Sequence, residues 1–239
     1  MSIRTPHDLK SIGREELAQF VTENVKHLSE DEALAVLDNP YLSTAICQMV
    51  AQNQRLTGFY SVRLRLVAHR RTPLAHATKL VHYLYWPDLL RLSTEVTVPA
   101  PVRRAIDTQL FIRLDKLTLG EKIASARRCS QTLIKVLLFD PDPRVFAALL
   151  VNQRLREEDL LLLAGSPDAA PEQLVQLAAD HRWSYRYAIR KALAMNPRTP
   201  RATAASQLRH LSPGDLRRIY DAAGTSVYLR RCIERLQRD

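Results

Sequence analysis

Glycine is scarce in this 239-residue chain, with 6 residues, and cysteine is scarcer, with 3. No GxGxxG or GxxxxGK[ST] run occurs, so a loop-type phosphate cradle has nothing to be built from. Cys47, Cys129 and Cys232 lie far apart, with no CxxC pair. They read as small buried hydrophobes in a reducing compartment rather than as a disulfide framework. Long apolar runs are missing too. No stretch approaches the ~18 residues that span a bilayer, and Met1–Asp8 carries no apolar signal core. The expectation is a cytoplasmic chain that does not insert into membranes.

Chemistry-bearing patterns are equally thin. There is no HExxH and no Cys/His cluster. His69, His76 and His82 fall in different helical contexts, and Asp180-His181 is one adjacent pair, so no metal is expected. Gly165-Ser166-Pro167 is not a nucleophile elbow, because no GxSxG surrounds Ser166. The acidic clusters Glu30-Asp31-Glu32 and Glu157-Glu158-Asp159 sit where first helical turns begin, and capping and the helix dipole explain them. No catalytic residue is assigned, no cofactor is expected, and the chain reads as a non-enzyme.

What the chain does hold is Leu, Ala and Arg, with aromatics at 6% and 13 Pro placed mostly between helical patterns. That mixture favours helices over sheets. Residues 1–12 read as a loose lead-in. Arg14–Leu28 has helical spacing, and Ser29 with Glu32 is a capping box. Ser43 or Thr44 caps the next helix. Thr72 is an N-cap candidate with Pro73 at the first helical position, and Leu74–Leu84 follows. A helix at Val102–Leu117, one helical pair formed by Thr118–Arg128 and Ser130–Phe139, and a helix at Arg144–Asn152 complete the middle.

The chain is organised around a duplication. Val62–Pro73 and Ile189–Pro200 share one pattern: a helix end, a Pro-limited turn and a helix start. Residues 28–109 align with 155–236 at an offset of 127 without a gap, with about a quarter of the positions identical. Matches include Arg55/Arg182, Tyr60/Tyr187, Arg63/Arg190, Arg71-Thr72-Pro73/Arg198-Thr199-Pro200, Asp88/Asp215 and Arg103-Arg104/Arg230-Arg231. Breaks such as Asn39-Pro40, Asn53-Gln54, Asp140-Pro141, Asn152-Gln153, Ser166-Pro167 and Asn196-Pro197 delimit units of about 26–30 residues, each a helical pair. One pair cannot bury its apolar face alone; stacked pairs can.

On units such as Tyr187-Ala188-Ile189-Arg190 through Leu193-Ala194-Met195-Asn196-Pro197-Arg198-Thr199-Pro200, the chain resembles bacterial HEAT-like or armadillo-type helical repeat proteins, and is similar to the variant leucine-rich repeats. The resemblance spans roughly residues 30–236. It implies an all-α solenoid in a single domain, with module one at about 28–115, a connecting pair at about 116–142 and module two at about 143–239. It also implies a scaffold that binds a protein or peptide on its concave face, as a monomer. The cysteine cluster that some variant leucine-rich repeat proteins use for an iron–sulfur centre is absent.

The net charge of +10 and pI near 9.8 raise nucleic acid as a rival partner. The basic residues read as spread along the whole chain. Candidate contacts are Arg63, Arg71, Arg103, Arg104, Arg190, Arg198, Arg230 and Arg231, recurring in both copies. A helix at 184–195 adds Arg186 and Lys191, interleaved with Trp183, Tyr185 and Tyr187. In HEAT-like repeats such arginines also bond turn carbonyls, and that is the structural reading of Arg63 and Arg190. A HEAT-like DNA glycosylase is a weaker alternative, since Trp86-Pro87-Asp88 has Pro213 in place of its tryptophan in the second copy.

Overall fold

The computed structural model describes residues 5–238. Among them there are 18 α-helices, one 3-10 turn and no strand, so the fold is all-α. The chain divides into two compact units. The first, ending at Lys116, holds α1 (Pro6–Leu9), α2 (Arg14–Asn24), α3 (Glu30–Leu37), α4 (Thr44–Gln52), α5 (Gln54–Gly58), α6 (Tyr60–Ala68), α7 (Leu74–Val81), α8 (Trp86–Ser93) and α9 (Ala100–Arg113), with the 3-10 turn at Leu114–Lys116. The second, from Leu117, holds α10 (Leu119–Ala126), α11 (Gln131–Leu137), α12 (Pro143–Leu150), α13 (Glu157–Gly165), α14 (Pro171–Ala179), α15 (Tyr187–Met195), α16 (Arg201–Leu208), α17 (Pro213–Asp221) and α18 (Val227–Leu236).

Where the residue order marked a cap, the helix start follows it with one exception. Glu32 N–H donates to Ser29 Oγ at 3.2 Å and Ser29 N–H donates back to Glu32 Oε2 at 2.7 Å. Ser43, not Thr44, caps α4. The second acidic cluster behaves likewise, with Asp159 accepting from Arg156 N–H at 3.0 Å and from Gln131 Nε2 at 2.6 Å. Thr72 is the exception. The N-cap of α7 is Pro73, with no side-chain cap, and Pro200 plays the same part for α16. Proline at an extended ψ of 134–136° feeds the chain into the helix directly, so the threonine sits one residue too early to cap. Helix 184–195 also starts late, at Tyr187, which leaves Trp183 and Tyr185 in the preceding turn.

In both units a helix packs on helices one to three places away along the chain, most often on the second. In the first unit α3 lies on α1 and α6, and α9 on α7 and α8. In the second, α12 lies on α10 and α14, and α15 on α13, α16 and α17. The core is almost wholly aliphatic, which lets 7–9-residue helices approach closely. The lead-in is not loose: Leu9 is fully buried at the end of α1. The first four residues of that lead-in lie outside the described residues.

Short helices leave many terminal carbonyls without an intrahelical donor. Asparagines just past helix ends supply the missing N–H groups. Asn39 Nδ2 donates to Leu9 O at 2.8 Å and Ile12 O at 3.1 Å; Asn152 Nδ2 to Ala126 O at 2.8 Å; Asn196 Nδ2 to Ala164 O at 2.6 Å and Ser166 O at 2.9 Å. Each Oδ1 accepts from the backbone N–H two residues ahead, at Tyr41, Arg154 and Arg198. One buried side chain thus shapes its own turn and ties it to the turn of the pair before.

Leu193 is fully buried in α15 beside Ala194. Leu193→Asp places an unpaired charge there and is expected to cost about 3–5 kcal/mol, enough to melt the second unit at ambient temperature. Circular dichroism during heating checks this; an unchanged melting temperature contradicts the burial.

Candidate binding surface

The duplicated joint is built by the same contacts in both copies. Tyr60 OH donates to Asp88 Oδ2 and accepts from Tyr85 N–H at 3.2 Å. At an offset of 127, Tyr187 OH donates to Asp215 Oδ2 and accepts from Ser212 N–H at 3.1 Å. A tyrosine at the start of α6 or α15 therefore clamps the first turn of α8 or α17. Burial and the Asp88 hydrogen bond push the Tyr60 phenol above its ordinary pKa, which keeps it a donor.

The recurrent arginines follow the same rule. Arg71 donates to Leu42 O, and to Pro40 O at 3.3 Å; Arg198 donates to Ala169 O at 3.4 Å. Leu42 and Ala169 are themselves equivalent positions. Arg55 bonds Leu28 O, and Arg182 bonds Asn152 O at 3.3 Å. Arg63 reaches Gly58 O at 3.3 Å, and Arg190 Nε donates to Ser184 O at 2.8 Å. Arg230 reaches Ala222 O at 3.3 Å, over the Tyr220 ring. Guanidinium groups, with five fixed donors, are suited to holding carbonyls that helix ends leave free.

The remaining candidates divide by exposure. Trp183 is 3% exposed and packed in the core, with Arg182 stacked over its ring at 4.6 Å; it offers no open face for a ligand. Arg186 is exposed, pairs with Glu157 at 3.1 Å and lies over Tyr185. Lys191 pairs with Asp215 at 2.8 Å. Tyr187 is 46% exposed although its hydroxyl is tied down. Arg103 is half-buried, and Arg104 and Arg231 are exposed. The structure thus gathers Arg186, Tyr187, Arg190 and Lys191 around the α15 start, while Arg103 and Arg104 belong to the first unit.

Two copies of one joint carry different surfaces. In the first, Tyr60 stacks on Tyr85 at 4.5 Å, and Arg63 lies over Tyr60 and Tyr83 at 5.7 and 5.9 Å. Tyr83 and Tyr85 are among the most exposed aromatics. In the second, His210 and Ser212 stand at those positions, and Lys191 replaces Leu64. Burial, followed by the charges of Arg190 and Arg209, holds the His210 pKa below its ordinary value. The cations therefore converge there.

The positive charge is also less evenly spread than the sequence pattern implied. Residues 1–180 hold 22 Lys and Arg against 21 Asp and Glu, whereas residues 181–239 hold 13 against 4. Equivalent segments 54–87 and 181–214 contain no acidic residue at all. That gap was the available signal for Arg209 and His210, which motif reading passed over. Among the described residues, no three of His, Cys, Asp and Glu converge as a metal-binding group, and no helix is long and apolar enough to cross a membrane. Comparisons with models of protein families, with curated proteins and with solved structures return no match for this chain.

Asp215 is the hub of the second copy: its carboxylate accepts from Lys191 and Tyr187, and its backbone N–H donates to Ser212 Oγ at 3.3 Å. The Lys191 contact first, then Tyr187, holds its carboxyl below the ordinary aspartate value. A depressed folded pKa gives stability that is present above the unfolded value, near ~3.9, and lost as pH falls through the folded one. Asp215→Asn is expected to lower stability at neutral pH and to flatten its acid limb below about pH 4. Urea midpoints across pH check this; an acid limb as steep as the parent's contradicts the assignment.

Proposed function

We propose that the chain is a non-enzymatic interaction scaffold: an α-solenoid of HEAT-like helical pairs, two homologous modules in tandem, whose concave face takes a protein or peptide. The observation that carries this reading is the use of the recurrent arginines. Arg71 and Arg198, Arg63 and Arg190, and Arg55 and Arg182 spend donors on main-chain carbonyls in both copies. A row of phosphate-binding guanidinium groups would instead leave their forks free and aligned. Helices that pack on the second helix along the chain also suit repeat stacking. Rigid turns and a regular helical frame are what a scaffold needs to present side chains without rearrangement.

Retention on immobilised duplex DNA across a salt series tests this against the nucleic-acid reading. The scaffold reading expects no retention at about 0.15 M salt. Tight retention with a steep salt slope would contradict it.

A further inference from the structure

The charge surplus has a location and a composition, and together they define a partner. Helices α15 to α18 share one core: Ala194, Ala204, Leu208, Leu216, Ile219 and Ile233 pack together. Outside that core lie most of the basic residues of 181–239, against few acidic ones. On α18, Leu229 and Ile233 face inward, while Arg231 and Arg235 are exposed at i and i+4, and Arg238 is exposed just past the helix end. Like charges at that spacing destabilise a helix in isolation. Arg217 and Arg218 add to the exposed charge from α17. Arg218 lies 3.7 Å from Asp215; among the described residues Arg217, Arg231 and Arg235 form no ion pair. Segment 181–239 thus carries a surplus of positive charge, and Arg217, Arg231 and Arg235 are exposed without an ion pair among the described residues.

Composition separates a protein partner from a polynucleotide. Of the 13 basic residues in this segment, Lys191 is the only lysine. Arginine enrichment with lysine depletion is a protein-interface signature. Large apolar side chains of the same segment are exposed as well: Tyr185, Met195, Val227 and Tyr228 are 47–65% exposed. Met195 and Val227 have no role in phosphate contact, whereas Tyr, Met and Arg are the residues enriched at protein interfaces.

Resting on the scaffold reading, we infer that helices α15–α18 form the docking surface, and that its occupant is an acidic polypeptide segment carrying apolar side chains between its carboxylates. Carboxylates meet Arg217, Arg231 and Arg235, and the apolar groups cover Met195, Val227 and the tyrosines. Electrostatics sets the encounter rate and the register, and apolar burial sets the lifetime.

The test uses the full chain and fluorescent peptides of about 20 residues, the span of one side of a standard interface. One peptide mixes Asp, Glu, Leu and Tyr. A second replaces Asp and Glu by Asn and Gln. Single-stranded oligothymidylate is the third probe. The acidic peptide is expected to bind most tightly at about 0.15 M salt. Combined Arg217→Glu, Arg231→Glu and Arg235→Glu should weaken it about tenfold or more, and the corresponding Gln variant should weaken it less. Lys79→Glu with Arg104→Glu in the first unit should leave it unchanged, and heating curves of every variant report folding. Equal binding of the neutral peptide, or equal loss from the first-unit reversals, overturns the inference while leaving the scaffold reading standing. Tighter binding of oligothymidylate overturns both. Binding of none of the three probes overturns the inference.

Discussion

Every short helix ends with carbonyls that its own backbone cannot satisfy, and the chain's architecture answers that one constraint. Helices of mostly 7–9 residues maximise the number of such ends. The donors come from side chains some 23–35 positions later: Asn39, Asn152 and Asn196 past helix ends, Arg55, Arg71, Arg113, Arg182 and Arg198 beside them, and Gln173 reaching Leu138 O and Asp140 O. Each bond joins one turn to a turn earlier in the chain. Apolar burial supplies most of the driving force, but it is non-directional. The polar ties are directional, and set which turn sits against which.

The same requirement explains how an Arg-rich protein uses its arginines. A lysine ammonium lacks the rigid planar fork with which Arg113 spans Leu84 O and His82 O. Once the turns are held, the surface is free to diverge. Tyr60 and Tyr187 keep identical clamps, yet the first copy surrounds its clamp with Tyr83 and Tyr85 and the second with Lys191, Arg209 and His210. One frame thus presents an aromatic surface in one unit and a cationic one in the other.

Much of the frame was readable from residue order. The 127-residue offset put Tyr60 over Tyr187 and Asp88 over Asp215, and the structure gives both pairs the same bond. Ser29 with Glu32 announced a capping box that forms. Other features were hidden by the limits of local pattern. Asn39, Asn152 and Asn196 were visible as helix breakers, but their Nδ2 partners lie 23–32 positions back, beyond any local window. Trp183 read as a candidate contact because basic residues are interleaved with it, whereas tertiary packing buries it. Thr72 fitted a cap by type, and the geometry of Pro73 took that place. The binding candidates were the least legible, because an arginine holding a carbonyl and an arginine awaiting a ligand have the same sequence signature.

Side chains that reach back to earlier turns hold the short helices of each unit together. Asn196→Leu tests it most directly, since it keeps side-chain volume while removing the donor to Ala164 O and Ser166 O and the acceptor for Arg198 N–H. Urea unfolding at neutral pH should show a loss of about 1–3 kcal/mol, the cost of leaving buried backbone groups unpaired. Replacing the exposed Arg104 by Leu should change stability by less than about 0.5 kcal/mol. Equal stability of Asn196→Leu and the parent chain would contradict the account.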